Sequence, residues 1–267
     1  ISNTGGGYSF YKDAKLLRIT RYRYNDIPND SNGKYYYIND NGTIWNPGFM
    51  PSRTKLDSYE CRHGMGYTRF KSNKNGLGAE LLAFVPVDAA CEVNLLTLEN
   101  TSSEEKNFSL FSYVEFCLWN AMDDMTNFQR NFSTGEVEVM GSVIIHKTEY
   151  RERRRHYAIF GVNTPINGFD TDRDSFLGAY RGYHNPQVVE DGKSKNSMAS
   201  GWAPIGSHQI TLSLQPGETK TYIYVLGYCE NPADQKWESQ GVVNKAPAKA
   251  LMEAFATEAQ ADAALDH

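Results

Sequence analysis

No run of about 18 apolar residues exists in the chain, so no segment of it reads as a bilayer-spanning helix. Charge of either sign is scarcely in excess. The 27 Lys and Arg face 32 Asp and Glu, for a net charge of −5. A mildly acidic chain lacks the basic field that would hold nucleic acid or an anionic membrane, so neither is expected as a partner. Cysteine is sparse. Cys61, Cys91, Cys117 and Cys229 show no CxxC spacing, and four in 267 residues do not make a disulfide scaffold. The six histidines include no HExxH pair, and no GxSxG occurs. Gly5-Gly6-Gly7 lacks the GK[ST] ending of a phosphate loop and reads as a turn. No metal and no cofactor are therefore expected. No signal peptide is visible; the chain opens on Ile1, and a cytoplasmic location is expected.

What the chain has is apolar and aromatic matter. Hydrophobic residues make up 40% and aromatics 13%, enough for a sizeable core and too much for a disordered segment. Short alternating segments rich in Tyr and β-branched residues dominate. Strands are expected at 8–11, 34–38, 64–70, 80–85, 92–99 and 107–119, then at 135–139, 143–147, 156–162, 208–214 and 219–228. Turn signals such as Asn32-Gly33 and Asn41-Gly42 bound several of them. Gln215-Pro216-Gly217-Glu218 carries a hairpin signal between the last two. The fold class expected is mainly β: a large antiparallel β-sandwich over 1–231.

Two stretches depart from this pattern. Residues 168–202 are long, polar and glycine-rich, and read as a surface excursion with short strands. The Ala-rich end, 246–265, carries Leu251, Phe255 and Ala259 at four-residue spacing and reads as one helix or two, with 238–245 just before it. An apolar stripe must pack on something. So 232–267 is expected to begin a helical linker to a domain that is missing.

Candidate chemistry is thin. Asp123-Asp124 and Glu149/Glu152 are paired carboxylates, but the first pair reads as solvated loop residues. The basic run Arg151-Glu152-Arg153-Arg154-Arg155 reads as a solvated sheet edge before an anion site. Residues 118–132 are more suggestive. They mix Trp119, Phe128 and Phe132 with amides and Arg130, and flat rings beside planar donors suit sugars. A packed sheet corner would look the same.

Longer motifs are more specific. Residues 1–15, ISNTGGGYSFYKDAK, are followed by Arg18-Ile19-Thr20-Arg21-Tyr22-Arg23-Tyr24-Asn25. Trp45-Asn46-Pro47-Gly48 and residues 59–68, YECRHGMGYT, come later. Together these resemble the N-terminal domain of the cellobiose phosphorylase family, the inverting disaccharide phosphorylases of glycoside hydrolase family 94, over essentially the whole chain. The resemblance implies a β-sandwich followed by a helical linker, an (α/α)6 barrel and a small C-terminal β domain. It implies reversible phosphorolysis of a β-linked disaccharide, with inorganic phosphate as co-substrate and inversion at the anomeric carbon. The general-acid Asp belongs to the barrel, so no catalytic residue is expected in this chain. Its partners would be that barrel, a second copy in a homodimer, and a small sugar. By the same resemblance, Arg130 and Phe132 would lie at the acceptor-sugar site. A stand-alone carbohydrate-binding module or a purely structural sandwich remains the alternative.

Overall fold

The computed structural model describes residues 1–22, 33–126, 133–150, 155–201 and 203–266, with the backbone alone at 133, 134 and 148–150. The chain opens with β1 (Arg18–Thr20), β2 (Lys34–Asp40) and β3 (Thr43–Trp45). An antiparallel run, β4 (Ser58–His63), β5 (Tyr67–Lys74), β6 (Leu77–Phe84) and β7 (Cys91–Asn100), leads into the long β8 (Lys106–Trp119). Helix α1 (Ala121–Met125) follows, then β9 (Ser133–Met140), β10 (Val143–Tyr150) and β11 (His156–Val162). After β12 (Gly168–Asp172) come helices α2 (Arg173–Leu177) and α3 (Gln187–Asp191) and the short β13 (Ser200–Gly201). Strands β14 (Pro204–Leu214) and β15 (Thr219–Glu230) complete two sheets. A ribbon, β16 (Trp237–Ser239) with β17 (Val242–Val243), precedes α4 (Ala246–Ala254) and α5 (Glu258–Leu265).

One sheet has the order β12-β14-β8-β2-β3, with β1 also beside β8; the other runs β13-β9-β10-β11-β15-β7-β6-β5-β4. Their pairings are antiparallel, and the expected mainly-β sandwich is what forms. The central strands are apolar on both faces, and the two faces go to different places. Leu110, Val114 and Phe116 of β8 meet Tyr224 and Leu226 of β15 between the sheets. Phe111 and Tyr113 point the other way and are covered by Phe176 and Leu177 of α2 and Val188 and Val189 of α3. On the far side, Val93, Leu95, Ile223 and Val225 are covered by Leu251, Met252 and Phe255. So the sandwich is a four-layer stack, helix on sheet on sheet on helix, and period-2 alternation sorts each strand into two cores.

Several expectations change. Residues 8–11 form no strand; only Phe10 bridges to Arg18, because this segment lies off the sheet's main path. The turn 215–218 is not a hairpin between paired strands. β14 belongs to one sheet and β15 to the other, so the Pro-Gly turn carries the chain across the sandwich. The crossing from β7 to β8 lies beside it, and buried Asn100 ties the two. Its Nδ2 donates to Leu214 O (2.9 Å) and Glu104 O (2.7 Å), and its Oδ1 accepts from Ser102 N (3.0 Å). The 168–202 stretch includes strands as expected, but also the helices that roof one sheet. Residues 238–245 contribute ribbon rather than helix. The apolar stripe of 246–265, split into two helices, packs on the chain's own sheet. Gly227 allows the close approach: a Cβ there would meet Leu251 Cδ2 at 2.4 Å.

The direction of the strands separates two ends. At one, the turns are tight: 41–42, 75–76 and 141–142, with the crossings 101–105 and 215–218. At the other, β5 begins, β6 ends, β7 begins, β15 ends, β8 ends and β9 begins, with the connection 85–90 between β6 and β7. We call the first the closed end and the second the open end.

Candidate functional site

The site begins where β8 stops. Trp119 is buried and has φ of +71°, a left-handed conformation that costs a bulky residue energy. It breaks the strand sharply. Asn120 then caps α1, its side chain accepting from Met122 N (3.1 Å) and Asp123 N (3.2 Å). Ala121 N donates to Lys15 O (2.7 Å), joining α1 to the N-terminal segment.

Beneath α1 lies a cluster of charges. Arg21 is 1% exposed. Its Nε and Nη2 bind the two oxygens of Asp124, each at 2.6 Å, and its Nη1 binds Glu115 Oε1 at 2.6 Å. Glu115 also accepts from Tyr183 Oη (2.6 Å), Arg173 Nη1 (3.2 Å) and Tyr113 Oη (3.2 Å). Two guanidinium groups thus meet two carboxylates. Burial opposes the charge of Arg21 and of Arg173, but the carboxylates outweigh it and hold both pKa values above the usual arginine value. Asp124 is therefore no solvated loop residue: it sits in a helix, 2% exposed, as the partner of Arg21.

An aromatic floor supports the cluster. His146 stacks on Phe116 with centroids 4.9 Å apart, and His156 meets Trp119 edge-on at 4.4 Å. Burial, with help from Arg21 and His156, pushes the His146 pKa down to about 3, so its ring is neutral. It cannot act as a base toward solvent from there.

Beside this floor opens a cleft of about 650 Å3, bordered by Tyr8, Phe10, Tyr11, Tyr67, Phe84 and Glu92 among others. Glu92 is buried against Lys34, accepts from Ser9 Oγ (2.8 Å) and Asn94 Nδ2 (3.0 Å), and stays ionised: burial would raise its pKa, but Lys34 lowers it further. Met65, Val85 and Val87 stand exposed around it. The 1–15 and 59–68 motifs, far apart in sequence, both border this cleft.

The expected site residues Arg130 and Phe132 lie outside the described residues, as do Arg151 to Arg154 and Glu152. The structure locates the ends of the first segment: α1 on one side, and Ser133, paired with Tyr150, on the other. Arg155 is exposed and pairs with Glu230 (2.8 Å), and it precedes β11, an interior strand, so the sheet-edge reading does not hold for it. Cys91, Cys117 and Cys229 are buried and Cys61 half-buried, all free thiols. Among the described residues, no cluster of three or more His, Cys, Asp or Glu side chains could hold a metal ion. Nor is any helix among them long and apolar enough to cross a membrane. Sequence reasoning missed Arg21, Glu115 and Arg173. One signal was present: Glu115 is the one charged residue between Leu110 and Trp119, and a lone carboxylate in an apolar strand needs a buried cation.

The family model for the glycosyl hydrolase 94 supersandwich domain matches residues 1–257. An N,N'-diacetylchitobiose phosphorylase from Vibrio proteolyticus is 33% identical over 233 residues, covering 85% of this chain and 29% of that protein. A solabiose phosphorylase from Paenibacillus borealis is 30% identical over 200 residues, covering 73% of this chain and 26% of that protein. The chain thus spans under a third of the relatives it matches. In fold it is similar to a bacterial glucoamylase solved with acarbose, with a TM-score of 0.56 at 9% identity, covering 96% of this chain and 32% of that one. A putative kojibiose phosphorylase from the human microbiome gives 0.52 at 10% identity, covering 86% and 26%.

Proposed function

The chain belongs to the glycosyl hydrolase 94 family as its supersandwich domain, and from that premise we propose that it is the non-catalytic sandwich of an inverting disaccharide phosphorylase. The observation that carries the reading is the match over residues 1–257 together with relatives that are disaccharide phosphorylases. The reaction is phosphorolysis of a β-linked disaccharide. A phosphate oxygen bonds to the anomeric carbon, the glycosidic bond breaks, and the leaving oxygen takes a proton from a general acid. The products are a hexose 1-phosphate and a free hexose. An inverting hydrolase needs a second carboxylate to activate water; phosphate attacks unaided, so one acid suffices. That acid sits in an (α/α)6 barrel beyond this chain.

In this reading the sandwich is residues 1–231 and the linker begins in 232–267. The last sheet strand ends at Glu230, and only a ribbon and two helices follow. The open end shapes the acceptor-sugar site and a homodimer, with Arg130 donating to acceptor hydroxyls and Phe132 packing on the ring. The exposed apolar residues Met65, Val85 and Val87 give the barrel a surface to dock on. The free thiols fit a reducing, cytoplasmic setting.

The test is a phosphate-dependence assay on the enzyme that contains this chain. It should release hexose 1-phosphate from a β-linked disaccharide only when phosphate is present, while the 267-residue chain alone releases none. Turnover by the chain alone, or hydrolysis independent of phosphate, would sink the reading. Arg130→Ala should raise the acceptor KM in the synthesis direction; an unchanged KM and kcat would remove Arg130 from the site.

A further inference from the structure

A sheet that does not close on itself leaves edge strands, whose outward N–H and C=O groups can pair with another chain. Here the two sheets end in β3, β12, β13 and β4. β13 has two residues and β3 three, too short to template much. The outer side of β12 is covered: Thr171 N donates to Ser197 O (3.0 Å), and Thr171 Oγ1 donates to the same oxygen (2.9 Å). β4 is different. It has six residues, and all but Cys61 are exposed. It is not loose, because it is in register with β5 along its length, and Tyr59 packs on Phe49 and donates through Oη to Asn3 O and Gly48 O. Gly64 N donates to Tyr67 O (2.9 Å), one step beyond the His63–Thr68 pair. Alternation then turns the backbone of Glu60 and Arg62 toward β5 and that of Tyr59, Cys61 and His63 outward. Among the described residues, nothing bonds to these outward groups.

We propose that the outward edge of β4 pairs antiparallel with the same edge of a second copy of this chain, about a two-fold axis at Cys61. Side-chain order selects that register. On one face of β4 stand Glu60 and Arg62, paired with each other, their side chains 51% and 69% exposed. With Cys61 on the axis, Glu60 faces the partner's Arg62, and Arg62 faces the partner's Glu60. Tyr59 faces the partner's His63, and the outward N–H and C=O groups of Tyr59, Cys61 and His63 all gain partners. Moving the axis to residue 60 sets Glu60 against the partner's Glu60. Moving it to residue 62 sets Arg62 against the partner's Arg62. Like charges directly opposite are destabilising, so both registers are disfavoured. Charge on an edge strand ordinarily discourages pairing. This edge carries both signs in an order that is its own complement, as a two-fold contact requires. The inference goes beyond the phosphorylase reading and does not need its chemistry.

Amide hydrogen exchange on the enzyme that contains this chain, resolved to single residues, tests it. In wild type the amides of Tyr59, Cys61 and His63 should be protected. In Glu60→Arg alone every facing group is a cation, and in Arg62→Glu alone every one is a carboxylate. Each variant should speed exchange at those amides roughly 10-fold or more, while the amides of β6 and β7 stay protected. Both positions are exposed, so neither change should unfold the chain. Co-expressing the two variants sets cation against carboxylate again and should restore protection, which no contact within one polypeptide can do. Protection that survives both reversals would mean that another part of the same polypeptide covers the edge, and it overturns the inference. Wild-type exchange at the unprotected rate overturns it too, as does a loss that co-expression leaves unrestored. Wild-type enzyme without phosphate-dependent turnover would defeat the phosphorylase reading instead, and exchange would still decide whether β4 pairs with a second copy.

Discussion

The two ends of the sandwich are built from the same strands and differ in what dominates them, although the closed end too holds one buried carboxylate, Asp40, paired with Lys106 at 3.0 Å. At the closed end, Asn41-Gly42 and Asn75-Gly76 turn the chain in two residues, all four with positive φ, as tight hairpins require. Asn100 ties the two crossings together through neutral hydrogen bonds to backbone. At the open end the connections are longer, and charge replaces turn geometry. Arg21, Glu115, Asp124 and Arg173 hold α1 and the approach to α2, and Lys34 with Glu92 holds the cleft floor. Oriented charge fixes direction as well as distance.

That contrast can be broken by substitution. The largest effect is expected at the open end. Arg21→Met strands buried Asp124, while Glu115 keeps Arg173 and two tyrosines; it should cost about 3–5 kcal/mol in urea unfolding, since removing one partner leaves uncompensated charge. A loss near zero would mean that water already reaches Asp124. Next comes the closed end. Asn100→Ala removes the side-chain bonds to Leu214 O, Glu104 O and Ser102 N, of which Glu104 O keeps Ser102 Oγ, and should cost about 2–3 kcal/mol. It should leave the acceptor KM of the enzyme unmoved, and a shifted KM would erase the functional division between the ends.

Acidification sharpens the comparison further. His146 under the open end and His208 in the core are both pushed by burial down to about 3. The unfolded chain takes up a proton at each below about 6.5 while the folded chain does not, so stability falls as pH drops from 7 toward 3. At pH 5 each histidine accounts for about 2 kcal/mol of that loss by linkage. Glu92 adds its own loss as pH falls from the ordinary glutamate range down through its depressed folded pKa. Comparing urea midpoints at pH 7 and pH 5, His146→Leu should show the smaller drop; an equal drop would mean that His146 is already solvated. The smallest effect is the cap. Asn120→Ala should cost about 1 kcal/mol, the ordinary worth of an N-cap. A thermal scan that shows no shift would mean α1 is held without its cap.

Much of the sheet framework was readable in advance, because alternation and turn residues are local. Strands at 34–38, 92–99, 107–119 and 219–228 fall within the observed ones. Pairing was not readable. Gln215-Pro216-Gly217-Glu218 specifies a reversal but not whether the next strand lies beside the last or across the core. Residues 168–202 looked like a loop because their short helices bury only a few side chains each, too few for a periodic signal. The Ala-rich end was legible as helix; its partner was not, since its stripe says only that something apolar covers it. For the site, the 118–132 stretch drew attention by composition. Asp124 read as a solvated loop residue because spacing alone does not place it, and its cation lies 103 residues away.

What the residues determined alone was most of the long strands, the mainly-β character with a helical end, and the family. Each is written in local pattern or in contiguous motif. Only the tertiary structure decided which face of each strand meets the other sheet and which meets a helix, that the connections sort into a closed and an open end, and that Arg21 answers both Glu115 and Asp124. Those depend on contacts between distant residues. A buried charge tolerates few geometries, so its partner is chosen by the fold as a whole and not by its neighbours in the chain.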